Sequence, residues 1–200
     1  MKLKSIAPAS LKRFIRILKN KRTPRDLLLS ELPKNAIGAE VGVWKGEFSR
    51  RLVKELTPLE LHLIDPWKFQ DSFPDRMYGG VVAKSQEDMD DIYDSVAEIF
   101  AKQPNVKLHR GTSDEILRSF PDAYFDFMYI DGNHYYDYVL NDLNLSYKKI
   151  KKGGLLTGDD YIWGKDDGYL VKCAVEDFMK SNSINSNRLR IFRSQFLIKV

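Results

Sequence analysis

The stretch AIGAEVGVWKGEFSRRL, residues 36–52, carries three glycines in a run that otherwise reads as a buried strand passing into a helix. Gly42 and Gly46 fall at the handover, where the first amides of the helix face back toward the crevice beyond the strand. Glycine at such a place adopts positive φ and lets a ligand approach the main chain. A dinucleotide fingerprint would read Gly-x-Gly-x-x-Gly, but Trp44 stands two residues after Gly42, and its indole would obstruct a pyrophosphate. The pattern present is Glu40-x-Gly42-x-x-x-Gly46, followed nineteen residues later by Asp65 at the end of the next strand. A carboxylate there can accept both hydroxyls of a ribose. A turn with a purely structural role is the competing explanation of the same glycines.

Working outward, β-rich runs at 36–43, 59–65, 106–109, 125–131 and 154–157 alternate with helical periods. Met89, Ile92, Val96, Ile99 and Phe100 form one apolar stripe. Val139, Leu143, Ser146 and Ile150 form a second, and Val171, Ala174, Val175 and Phe178 a third. The central strand runs are apolar with little alternation, as strands covered on both faces must be. The expected fold is therefore α/β, a mostly parallel sheet with helices on both faces. RLRIFR and QFLIKV lack a helix between them and predict a C-terminal antiparallel hairpin that closes the sheet. Ligands of such sheets bind beyond the C-terminal ends of the strands.

Composition sets the outer limits. A chain of 200 residues with 43% hydrophobic and 30% charged residues suits one soluble domain with a true core. The net charge of +4 comes largely from the first 25 residues and is weak evidence for a polyanionic partner. No apolar run is long enough to span a bilayer, and Lys12, Arg13, Arg16 and Lys19 interrupt the first hydrophobic groups, so no secretory signal is expected. Cys173 is the sole cysteine, which excludes an internal disulfide. Both points predict a cytoplasmic location.

The segments GAEVGVWKGEFS, LHLIDPW, YIDGNHYYDYV, KKGGLLTGDDY and VKCAVEDF, in this order, resemble the class I S-adenosylmethionine-dependent methyltransferases. The resemblance is to the small bacterial branch related to sugar and antibiotic O-methyltransferases, and it runs from about residue 37 to residue 178. It implies a Rossmann-like fold over residues 34–200, with a seven-stranded sheet whose last strand is inserted antiparallel. It also implies S-adenosyl-L-methionine as cofactor, with Glu40, Gly42 and Gly46 around its methionine end and Asp65 on its ribose. The cofactor has no phosphates, and nearby acids tolerate a sulfonium cation. Pro66 and Trp67 offer an apolar face for adenine. GTSDE, after the third strand, resembles the family's adenine-side loop, where Thr112, Ser113 or Asp114 would bond the exocyclic amine. Capping of the next helix by Ser113 or Asp114 is the alternative.

Asp131 ends the fourth strand run, and Asp159 and Asp160 follow the fifth. Adjacent strands lie about 4.8 Å apart, so acids leaving a shared edge converge. Three carboxylates repel one another unless a cation or a proton intervenes. Oxygen ligands with room for water suit Mg2+ or Mn2+, and the Cys and His set for zinc is absent. In the metal-dependent small-molecule O-methyltransferases, acids at similar places hold a divalent ion that binds vicinal oxygens of the acceptor. The resemblance thus implies Asp131, Asp159 and Asp160 as metal ligands, with Asp131 also catalytic. The alternative has Asp131 on the cofactor's amino group without metal, and Asp159 and Asp160 capping the loop before Tyr161. His134 is the candidate base, because imidazole titrates near neutrality. Related enzymes carry a lysine or an acid near this place, and opening the following helix is the competing role. Tyr135, Tyr136, Tyr161 and Trp163 would stack on an acceptor or belong to the core. His62 and His109 are expected in packing or at the surface.

Residues 68–82, KFQDSFPDRMYGGVV, read as a lid that sets acceptor specificity. Leu11, Phe14, Ile15 and Leu18 predict a basic amphipathic segment within residues 1–33. It is expected to dock on its own domain or on a second copy in a homo-oligomer, with peripheral contact to a membrane surface as the alternative. The expected function is divalent-metal-assisted O-methylation of a sugar or other small-molecule hydroxyl, the acceptor being a small molecule or glycan. Its rivals are a metal-independent RNA or protein methyltransferase of the same fold and a non-catalytic cofactor-binding subunit. Nucleic acid is disfavoured because no dedicated binding module is present.

Overall fold

The strand-to-helix handover read from residues 36–52 lies at the centre of the computed structural model, which describes residues 22–200. The chain runs α1 (Pro24–Leu29), β1 (Ile37–Val41), α2 (Glu47–Leu56) and β2 (Glu60–Asp65), then α3 (Gln86–Phe100), β3 (Val106–Arg110) and α4 (Ser113–Ser119). It continues through β4 (Phe125–Ile130), α5 (Tyr136–Lys149), β5 (Ile150–Gly158), α6 (Leu170–Ser181), β6 (Leu189–Phe192) and β7 (Gln195–Lys199). The strands form a seven-stranded sheet in the order β3-β2-β1-β4-β5-β7-β6. The first five are parallel, and β7 enters antiparallel between β5 and β6. The order reverses between β1 and β4, and the crevice at that switch point is where an open α/β sheet offers a site.

Alternation within each strand divides the core into two layers. Leu61 and Leu63 join Leu52, Leu56, Val96, Phe100 and Phe127 on the α2 and α3 side. Ile64, Met128 and Ile130 join Leu143, Val175 and Phe178 on the α5 and α6 side. Helix starts follow local chemistry. Thr23 with Asp26, Ser85 with Asp88 and Thr112 with Glu115 form reciprocal capping boxes on α1, α3 and α4.

The glycines of the opening stretch make room for the chain itself. A Cβ on Gly38 would lie 2.1 Å from the Phe127 ring, and one on Gly42 would lie 2.1 Å from the Asp131 carbonyl oxygen. Gly42 also holds φ +89, so both space and conformation exclude a side chain there. At Gly46 the added atom would meet only ordinary contacts, and φ +70 is the constraint. The close neighbour of the bare backbone at Gly42 is thus the end of β4.

One expected boundary moves. Ile150 opens β5 instead of closing the α5 stripe, and Gly153 at φ +84 turns that strand toward the run at 154–157. Leu28, Leu29 and Leu32 sit in the core with Leu52 and Leu197, so α1 packs on the sheet. The stripe of Leu11, Phe14, Ile15 and Leu18 lies outside the described residues. Among the described residues no helix is long and apolar enough to cross a membrane.

Candidate functional site

A cavity of about 1020 Å³ opens along the C-terminal edge of β1, β2, β4 and β5. Gly42, Asp65, Thr112, Asp131, His134 and Asp160 all contribute to its wall, together with the 68–78 loop. Carboxylates outnumber cationic side chains along it, a balance that suits a positively charged ligand. Three of the nine non-glycine residues with positive φ among the described residues lie beside this space. Trp44, Trp67 and Asp160 hold φ of 53, 39 and 56, a left-handed conformation that costs about 1–3 kcal/mol each and concentrates at functional sites.

Asp65 sits at the end of β2 with its carboxylate inside the turn. Its Oδ2 accepts from the Val43 and Trp44 amides at 2.9 and 3.0 Å, and its Oδ1 from the Trp67 amide at 2.8 Å. A carboxylate offers about four acceptor positions, so one remains for a ligand hydroxyl. Burial pushes the Asp65 carboxyl upward, and these three amides counter it only in part. Glu40, on β1, is buried and accepts a bond from Ser49 Oγ at 2.5 Å. Desolvation pushes its carboxyl up to about 8, against the pull of that bond. Burial thus favours the protonated form of Glu40 at the wall of the cavity.

Trp67 does not serve the adenine face expected of it. Its side chain is fully buried, 0% exposed, with Nε1 donating to the Trp44 carbonyl at 2.9 Å and Tyr93 packed on it at 5.1 Å. The left-handed turn at Trp67 sends the indole into the core and leaves Pro66 and Lys68 on the wall. Thr112 and Ser113 reach the cavity already engaged, Thr112 as the N-cap of α4 and Ser113 as donor to Asp142. The cap is thus Thr112, one residue before the pair expected for it. Burial pushes the Asp142 carboxyl up to about 6 despite the Ser113 bond.

The three acids after β4 and β5 do converge, but they divide into two sets. Asp131, His134 and Asp160 each offer one ligand atom, all within 4.8 Å of one another. His134 Nε2 lies 3.5 Å from Asp131 Oδ1, and its Nδ1 lies 3.3 Å from Asp160 Oδ2. The buried Nε2 makes no hydrogen bond. Asp159, expected among the metal ligands, instead faces Arg25 of α1. Arg25 Nε and Nη2 donate to Asp159 Oδ2 at 3.0 and 2.8 Å, and Nη2 also reaches Asp131 Oδ2 at 2.7 Å. Arg25, Asp142 and Tyr129, whose hydroxyl lies 3.3 Å from Asp159 and 3.1 Å from Gln195, are site residues that the sequence alone did not point to.

Electrostatics follow this division. Burial works to raise the Asp159 carboxyl, but the Asp160 amide, Gln195 and Arg25 outweigh it and hold the group below its usual range. Burial raises Asp131 and Asp160, and the opposing charges of Arg25 and His134 leave both still elevated. For His134 burial favours the neutral ring, yet Asp131 and Asp160 overcome it and move the imidazole upward. His62 and His109, by contrast, stack on each other at 5.2 Å among Phe120, Tyr124 and Phe125, away from the cavity. On the outer wall Arg76 lies 4.9 Å from the Tyr135 ring and 4.6 Å from that of Trp163. Tyr136 bonds Asp177, and Tyr161 is buried against Phe196.

Comparison with known proteins agrees with this arrangement. A family-wide sequence profile described as a methyltransferase domain matches residues 39–161, more than half of the chain. A solved structure of the O-methyltransferase NovP superimposes with a TM-score of 0.60 at 18% identity, covering 92% of this chain and 78% of that one. A SAM-dependent methyltransferase from Aquifex aeolicus gives 0.57 at 17% identity over 96% and 97% of the two chains. Spermidine synthase from Thermotoga maritima gives 0.54 at 14% identity over 86% and 55%, so the fold by itself extends to other transfers. Among curated proteins, uncharacterized protein R132 of Acanthamoeba polyphaga mimivirus is 48% identical over 46 residues, which is 23% of this chain and 20% of that protein. The chain thus spans only a fifth of that relative's length. With the profile match over its central strands and the sheet order that places the cavity, the chain belongs to the methyltransferase-domain family.

Proposed function

We propose that this chain transfers the methyl group of S-adenosylmethionine to a hydroxyl of a sugar or other small molecule, with a divalent cation, Mg2+ or Mn2+, at the acid cluster. The observation that carries the reading is the convergence of Asp131, His134 and Asp160 within 4.8 Å, in the cavity that also contains the β1 turn and Asp65. When bound, the cofactor supplies an electrophilic methyl on a sulfonium, and the ion supplies Lewis acidity that lowers the pKa of an acceptor hydroxyl. The residues fit both groups. Asp131 and Asp160 would hold the ion, since Mg2+ keeps several waters and takes one or two carboxylates. His134, whose ring lies between Asp131 and Asp160, would receive the hydroxyl proton. Asp65 would take a ribose hydroxyl on its remaining acceptor position. The outer wall, with Tyr78, Tyr138 and Trp163, offers flat aromatic faces to a sugar ring.

The test is methyl transfer from labelled S-adenosylmethionine to a panel of hydroxyl acceptors, in EDTA and after restoring Mg2+ or Mn2+. The reading expects loss in EDTA, recovery with the ion, and loss of the ion's effect in Asp160→Asn. A second reading rests on Arg25, whose guanidinium already neutralises Asp131 and Asp159. In that case His134 acts as base with no metal, and turnover is full in EDTA but lost in His134→Ala.

A further inference from the structure

We propose that Arg25 is a resident counter-cation that limits how tightly the acid cluster takes up a divalent ion, and that Asp159 is its seat. The inference rests on the cation-assisted reading above and concerns a residue that comes from α1, outside the span matched by the family profile. Arg25 bonds Asp131 Oδ2 and, through two nitrogens, Asp159 Oδ2, while Asp159 Oδ1 accepts the Asp160 amide at 2.7 Å. Both oxygens of Asp159 are thereby engaged. Asp131 Oδ1 and Asp160 Oδ2 lie 3.5 and 3.3 Å from the His134 ring nitrogens, at the wall of the cavity.

The guanidinium is held by a packed element. Its Cζ lies 5.0 Å from the centre of the Phe48 ring, which itself packs on Tyr129 at 4.3 Å. Helix α1 is fixed at its start by the Thr23 and Asp26 capping box, along its side by Asp26 pairing with Arg51 at 2.5 Å, and beneath by buried Leu28 and Leu29. A positive charge so placed repels any second cation brought to the same carboxylates. Arginine keeps that charge at all working pH values. Removing it leaves Asp131 and Asp159 unneutralised side by side, and Asp159 becomes available as a further oxygen ligand. The docking of α1 thus sets the affinity of the cluster for a divalent ion.

The experiment is titration of the purified, cofactor-free protein with Mn2+, read by the electron paramagnetic resonance signal of the free ion, for wild type, Arg25→Met and Arg25→Lys. Even at an effective dielectric near 20, loss of one neighbouring charge should tighten Mn2+ binding by roughly tenfold or more. Arg25→Met, which keeps an apolar stem over Phe48, is expected to show that gain. Arg25→Lys, which keeps the charge, is expected to stay near wild type. Arg25→Gln gives the same test if Arg25→Met does not fold, judged by circular dichroism. Binding in the charge-free variant alone also supports the proposal, whereas equal affinity throughout, weaker affinity in Arg25→Met, or no binding in any variant overturns it. Turnover that is full in EDTA removes the cation from the reaction, but the Mn2+ titration still decides the role of Arg25.

Discussion

Replacing Glu40 by Gln should change how stability depends on pH, with a sign and size that follow from its burial. Desolvation raises the Glu40 carboxyl from 4.5 to about 8 in the folded protein. Between these values the folded chain holds a proton that the unfolded chain has released, so stability falls as pH rises through this window. The penalty is absent below about pH 4.5 and complete above about pH 8. Over a span of about 3.5 pH units at about 1.36 kcal/mol each, it reaches on the order of 5 kcal/mol. Glutamine has nearly the same shape, carries no charge, and its amide oxygen can still accept from Ser49. The stability of Glu40→Gln minus that of wild type should therefore grow by several kcal/mol between pH 5 and pH 8, all other titrating groups being common to both. Urea denaturation at intervals of half a pH unit measures this difference directly. Parallel profiles for the two proteins would refute the claim that Glu40 is buried in its protonated form.

Other perturbations separate structural from ligand-facing roles. Gly42→Ala places a methyl 2.1 Å from the Asp131 carbonyl and should destabilise the fold by more than ~3 kcal/mol, whereas Gly46→Ala faces only left-handed strain of about 1–2 kcal/mol. Equal costs in urea would contradict the packing account of Gly42. Trp67→Phe removes the bond to the Trp44 carbonyl and should cost about 1–3 kcal/mol of stability, with S-adenosylmethionine affinity changed less than about twofold. A large loss of affinity in a well-folded Trp67→Phe would return the indole to the cofactor. Asp65→Asn should weaken cofactor binding by roughly tenfold in calorimetry, and unchanged affinity would leave Asp65 only its role in bracing the turn.

The architecture was legible because its signals are local. Apolar runs, helical stripes and the helix-free pair at the end each report on neighbours in sequence, and they yield the parallel sheet and the β6–β7 hairpin. The site was legible where a strand end fixes a residue's position, as for Asp65, Asp131 and Asp160. It failed where a side chain's direction depends on one backbone angle or on distant partners. The φ of 39 at Trp67 turns an exposed platform into core. Arg25 meets Asp131 and Asp159 across 106 and 134 positions, and no periodicity connects a basic N-terminal segment to the ends of β4 and β5. Carboxylates gathered in one pocket need a compensating charge, and a guanidinium supplied by the chain meets part of that need. Ile150 fits the α5 spacing and is separated from the run at 154–157 by polar residues and Gly153, so pattern alone placed it in the helix.

The central claim is that S-adenosylmethionine binds at the C-terminal edge of β1 and β2. A crystal of this protein soaked with S-adenosylmethionine tests it most directly. The account predicts density along Gly42 and Val43, with the ribose at Asp65 and the sulfonium facing the wall that contains Glu40 and Asp131. Density elsewhere, or a cavity that stays free of the compound at saturating concentration, would contradict it.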